Sequence, residues 1–251
     1  MYSLYMPNNL KNINEFNALL MDYQPSRQSL LTLSQVELVL LVAPTSSGRN
    51  TVIRELMKTG DYYFIVSDTT RNPRSNDGVM EKDGVEYWFR SEEEVLVDIK
   101  DGKYLEAAVI HNQQVSGISV RELEKAKEAE KIAITDAEIA GADSAIMRKA
   151  DTLVIFLLPP NFDEWQRRIT SRGEMNSTEY KNRMISAAKE LSTALDRDYY
   201  KFVINDSVQN AVEQVNTLAK MDEQDDTDST QARKLAEQLY TQTEQLIDSL
   251  D

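Results

Sequence analysis

The segment Val36-Glu37-Leu38-Val39-Leu40-Leu41-Val42-Ala43-Pro44-Thr45-Ser46-Ser47-Gly48-Arg49-Asn50-Thr51 decides the fold. Residues 36–42 are a nearly unbroken apolar run of strand length, as expected of a strand buried on both faces in a parallel sheet. A turn of small residues follows, and a helical pattern starts at Thr51 with Val52, Ile53, Leu56 and Met57. Strand, small-residue loop and helix form the context in which a loop binds phosphate, because loop N–H groups and the helix N-terminus converge on an anion. The loop departs from the full pattern G-x-x-x-x-G-K-[ST]. Ala43 stands at the first Gly, Arg49 at the Lys and Asn50 at the hydroxyl position, whereas Gly48 is kept and Thr51 follows. A βα turn N-capped by Ser or Asn would read the same from these residues alone, so the remaining chain has to decide.

Working outward, the 251 residues suffice for one large domain or two small ones. No apolar run approaches the ~20 residues of a membrane span, and no basic flank precedes an apolar core at the N-terminus. Cysteine is absent, so there is no disulfide framework or thiolate metal site, and His111 is the only histidine. A His-based triad has no second candidate, and the pattern is that expected of a cytoplasmic protein. The net charge is −14. Residues 221–251 hold nine acidic and two basic residues, half of that excess in a short tail. The balance argues against general nucleic-acid binding, which needs a basic surface. It leaves room for a small phosphorylated ligand in a locally basic cleft.

Residues 1–35 read as a polar, loosely packed extension with a short helical pattern near Phe16, Leu19 and Leu20. Gly60 is placed to cap the helix that follows the loop, and Tyr62–Val66 reads as a strand. The run Ser67-Asp68-Thr69-Thr70-Arg71-Asn72-Pro73-Arg74 sets two arginines three apart beside hydroxyls, a compact anion clamp. Asp77-Gly78 and Asp83-Gly84 mark hairpin turns, with Val85 to Phe89 between the second turn and Ser91. Val208, Ala211, Val212, Val215 and Leu218 line one face of a late helix. An acidic linker covers residues 221–230. Leu235, Leu239, Thr243, Leu246 and Leu250 then repeat at helical spacing. That C-terminal helix, 231–251, is expected to pack on the core or on a partner, including a second copy, and to be separable from the core.

Ser67 through Arg74, followed by Glu86-Tyr87-Trp88-Phe89-Arg90-Ser91, resembles the signature of the guanylate kinase family. Further segments resemble that family in order. Asp101-Gly102-Lys103-Tyr104-Leu105-Glu106 is similar to its N-G-x-F-x-E segment, and Ile134 to Gly141 to its L-D-I-D-x-Q-G strand end. Phe156 to Pro160, the arginines Arg167, Arg168, Arg172 and Arg183, and Phe202-Val203-Ile204-Asn205-Asp206 resemble its later strands and lid. The resemblance spans about residues 36–220.

It implies an α/β P-loop NTPase fold: a parallel sheet core, a small β-rich nucleotide-binding insert (about 67–117) and a helical lid (about 163–195). It also implies transfer of the ATP γ-phosphoryl group to GMP with Mg²⁺. The alternative is a catalytically weak module that binds GMP or a protein partner. Carried over by position, Ser67, Arg71, Arg74 and Tyr87 would hold the GMP phosphate, with Glu106 and Glu138 at the guanine. A carboxylate suits guanine, which offers two adjacent donors where adenine does not. Ala43, Pro44, Thr45, Ser46, Ser47, Gly48, Arg49, Asn50, Thr51 and Asn205 would hold ATP. Arg49, Arg172, Arg183 and Asp136 would serve phosphoryl transfer, with Asn50 and Asp136 at the metal.

Overall fold

In a computed structural model, residues 10–76, 78–171, 175–220 and 229–250 are described. The chain begins with α1 (Ile13–Met21), α2 (Arg27–Leu33), β1 (Leu38–Val42), α3 (Arg49–Thr59) and β2 (Tyr62–Phe64). Four short strands follow: β3 (Asp68–Thr69), β4 (Ser75–Asn76), β5 (Val79–Met80) and β6 (Trp88–Phe89). Then come α4 (Glu92–Lys100), β7 (Tyr104–Ile110), β8 (Gln114–Ser119), α5 (Val120–Glu128), β9 (Ile132–Asp136) and α6 (Ile139–Arg148). The chain continues through β10 (Leu153–Leu158), α7 (Phe162–Thr170), α8 (Ser177–Leu195), β11 (Tyr200–Ile204), α9 (Val208–Lys220) and α10 (Ser229–Ser249).

These elements fall into two compact units. One takes the chain up to Glu37 with Tyr63–Ala133 and Asp143–Ala150; the other takes Leu38–Tyr62, Ile134–Ala142 and Asp151 onward. The five-stranded sheet has order β11-β10-β1-β9-β2, and its strands β1, β10 and β11 lie wholly in the second unit. Here β1 pairs parallel with β10, and β10 with β11. Every residue of β1 is buried, the outcome expected of an apolar run without alternation. Phe156 packs edge-on against Tyr200, with ring centroids 5.9 Å apart.

Helix α10 takes the first of the two places expected for it, on the core. It packs on α8, β10 and β11, and Ala232, Ala236, Leu239 and Thr243 are buried along one stripe. Two small alanines let the helix lie close, so its apolar face is used within the chain. The linker expected at residues 221–230 lies, up to residue 228, outside the described residues.

In the first unit, a four-stranded sheet has order β6-β3-β8-β7. Strands β4 and β5 form a separate hairpin with Gly78 in the left-handed region (φ 81°). Asp77 of that expected turn lies outside the described residues. The N-terminal stretch also departs from expectation. Leu10, Phe16 and Tyr23 are buried in one cluster with Val95, Leu96, Ile99, Tyr104 and Val115. Residues 10–33 are thus part of the core of this unit, because α1 and α2 cover apolar faces of α4 and β7 that would otherwise meet water.

Candidate active site

The phosphate-binding loop is built in the second unit. Helix α3 starts at Arg49, two residues before the pattern predicts, with Gly48 as its N-cap at φ 93°. A Cβ at Gly48 would lie 2.4 Å from Asn205 Nδ2, so dihedral and space both require glycine. Two side chains draw the loop carbonyls outward. Trp165 Nε1 donates to the Thr45 carbonyl at 2.8 Å, and Asn205 Nδ2 donates to the Ser47 carbonyl at 2.7 Å. The N–H of a trans peptide opposes its carbonyl, so the Ser46 and Gly48 amides are turned the other way. Ser46 Oγ, Ser47 Oγ and Asn205 Oδ1 are buried without a hydrogen-bond partner among the described residues. Buried polar atoms left in this state usually await a ligand or water.

Arg49 is the first residue of α3, directly after this loop. Its Nη2 sits 2.7 Å from Asp136 Oδ2, and its Nη1 donates to the Ala137 carbonyl at 3.2 Å. The planar fork makes both contacts at once, which a point-charge ammonium would not do in the same way. Asn50 is exposed on the first turn of α3, and Glu138 is exposed just before α6. Arg183 pairs with Glu179 at 2.7 Å on α8, so the arrangement brings it to Glu179 and leaves Asp136 to Arg49. Arg172, expected to act beside Arg183, lies outside the described residues. Glu190 was not foreseen. Burial pushes its carboxyl up to about 7; Ser186 and Arg49 pull it down, and Glu138 adds to the rise.

The residues expected at the GMP phosphate stand in the first unit. Arg71 is held by a bidentate pair with Glu81, at 2.5 Å and 2.9 Å, and its guanidinium lies 4.8 Å over the Tyr87 ring. The Arg74 backbone N–H also donates to Glu81, at 2.8 Å, while its side chain is exposed. Ser67 enters the same sheet, its carbonyl accepting from Trp88 N–H at 2.9 Å. Arg71, Arg74 and Tyr87 are thus brought together around Glu81, a residue that the clamp motif alone does not mark. Its one signal in the sequence is its place shortly after the Asp77-Gly78 turn. Glu106 lies on β7, just past a register shift opposite β8.

A buried parallel sheet whose first strand runs into a small-residue loop and a helix headed by left-handed Gly48 defines an α/β fold of the P-loop NTPase class. The chain belongs to the guanylate kinase family, whose model, described as guanylate kinase, matches residues 35–222. It is 30% identical over 187 residues to guanylate kinase 1 of Arabidopsis thaliana, covering 73% of this chain and 47% of that protein. It is 31% identical over 184 residues to guanylate kinase of Sulfurimonas denitrificans, covering 72% and 86%. The chain therefore spans about half the length of the Arabidopsis relative and, at 50%, of the rice guanylate kinase 1. The solved structure of guanylate kinase from Anaplasma phagocytophilum aligns with TM-score 0.53 at 24% identity, covering 74% of this chain and 86% of that one. Among the described residues no helix is long and apolar enough to cross a membrane.

Proposed function

We propose that this protein transfers the γ-phosphoryl group of ATP to a phosphate oxygen of GMP, giving ADP and GDP. The observation that carries the reading is the loop geometry at Gly48: carbonyls drawn back by Trp165 and Asn205 beside buried hydroxyls that lack partners. The P–O bond to the ADP moiety breaks as the bond to the GMP phosphate forms, with no covalent enzyme intermediate. Catalysis of this kind is positioning and charge neutralisation. In this reading Ala43 to Thr51 and Asn205 hold ATP, Arg49 reaches its outer phosphates, and Arg172 and Arg183 close from the lid, residues 163–195. Ser67, Arg71, Arg74 and Tyr87 take the GMP phosphate, with Glu81 holding Arg71 in place. Glu106, with Glu138, accepts from the guanine N1–H and amino groups, in the insert reading of residues 67–117.

Mg²⁺ is the metal this reading places beside the same loop. Asp136 keeps 39% of its side chain exposed and, with the Asn50 amide oxygen, offers the hard donors that Mg²⁺ takes. Asp136 and Asn50 would hold the ion, and bound there it would neutralise charge on the β and γ phosphates.

Calorimetric titration with GMP and AMP tests the acceptor assignment. GMP binds and AMP binds weakly or not at all, and Glu106→Ala weakens GMP by about 1.5–3 kcal/mol through loss of a charged hydrogen bond. Equal affinity for the two nucleotides would overturn the assignment.

A further inference from the structure

We infer that residues 10–33, which precede the stretch matched to the family, brace the strand that carries Glu106, and that Tyr23 is a positioning residue for guanine recognition. The inference rests on the functional reading above, in which Glu106 reads the base.

The argument turns on Tyr104. Strand β7 pairs Tyr104 with Ser119 and Glu106 with Ile118, so Leu105 is an extra residue in the ladder. Such a bulge re-aims the side chains beyond it, and Glu106 is the next residue. One hydroxyl grips the backbone of Tyr104, the residue before the bulge. Tyr23 Oη accepts from the Tyr104 N–H at 2.8 Å and donates to the Tyr104 carbonyl at 2.8 Å. Burial pushes the Tyr23 phenol up to about 12, so it stays protonated and able to donate. The turn before β7 is fixed by the same segment. Ser26 N–H and Ser29 Oγ both donate to the Gly102 carbonyl, at 2.8 Å and 2.7 Å. Gly102 has φ 65°, and a Cβ there would lie 2.3 Å from Ser26 N. Tyr23 is itself anchored, because Arg148 Nη2 donates to its carbonyl at 2.9 Å.

The side chain of Tyr104 is tied in the opposite direction. Its hydroxyl donates to Asp68 Oδ2 at 2.7 Å, and Asp68 also takes Arg121 at 2.7 Å and Arg90 at 3.2 Å. Asp68 follows Ser67 directly. The segment resembling N-G-x-F-x-E has tyrosine at its aromatic position, and the added hydroxyl makes this bond. Tyr23 therefore fixes the backbone two residues before Glu106, at Tyr104, and Asp68 ties the Tyr104 side chain to β3. A hydroxyl that only stabilised the fold would have no bearing on which base binds.

The test is Tyr23→Phe in the full chain, titrated calorimetrically with GMP, AMP and ATP beside a thermal melt. The expected result is GMP affinity about tenfold lower, with AMP and ATP affinities unchanged. A lower melting temperature with the GMP-to-AMP ratio of wild type would overturn the inference and leave Tyr23 a stabilising residue. Wild type with no preference for GMP would overturn the functional reading and this inference with it. If Tyr23→Phe does not fold, Ser29→Ala is read in its place: loss of GMP preference supports the brace, and an unchanged ratio overturns it.

Discussion

Arg49 and Asp136 form an ion pair of 2.7 Å between the first turn of α3 and the end of β9. The pair is partly exposed, so its contribution to stability is about 0–1 kcal/mol. Its proposed consequence is for chemistry: the cation proposed to meet the phosphates is held by the acid proposed for the metal. Arg49→Ala is expected to lower turnover about 10²-fold or more while the melting temperature stays near wild type. Arg49→Lys is expected not to raise turnover, since an ammonium does not reproduce the fork to Asp136 and the Ala137 carbonyl. Steady-state kinetics of the three proteins checks this. Unchanged turnover in Arg49→Ala would mean that Arg49 takes no part in the reaction.

Glu190 makes stability depend on pH. Its carboxyl ionises at about 7 in the folded chain against 4.5 as the ordinary value. Between those values the folded state binds the extra proton, so stability falls as pH rises through that window and levels off above it. Glu190→Gln cannot ionise and escapes the fall. Its melting temperature relative to wild type is therefore expected to rise between about pH 5 and pH 8, by an amount corresponding to about 1–3 kcal/mol. Parallel melting curves for the two proteins across that range would contradict the assignment.

Helix α10 is a structural part of its unit. Leu239 is fully buried on it, and Arg233 donates from the same helix to the Leu195 carbonyl of α8. Leu239→Ala is expected to cost about 2–4 kcal/mol, seen as a lower urea midpoint with the slope unchanged. A chain ending before residue 229 is expected to lose more. Urea curves that superimpose on wild type for Leu239→Ala would show that the helix does not belong to the folding unit.

The strand and loop at residues 38–48 were legible because their signals are local: an apolar run, then a glycine whose dihedral the turn demands. Ser67 to Arg74 was legible as a local motif, whereas the pairing of Arg71 with Glu81 was not. The N-terminal brace was not, because Tyr23 acts on Tyr104, 81 positions away, and lies in the short connection between α1 and α2, which carries no periodic pattern. In α10 the repeat marked Leu239 and Thr243 on the buried face but not the rest of that face. That face runs through Ala232 and Ala236, residues small enough to be passed over when apolar side chains are counted. Glu81 was missed because a lone Glu in a turn looks solvated until the chain folds it back onto Arg71.

The central claim is phosphoryl transfer to GMP, and the most direct measurement is product analysis of the purified chain with ATP, Mg²⁺ and one nucleoside monophosphate at a time. The account predicts equimolar ADP and GDP with GMP, and little ADP with AMP, CMP or UMP. ADP formation that is equal with every acceptor, or absent with GMP while GMP binds, would contradict it.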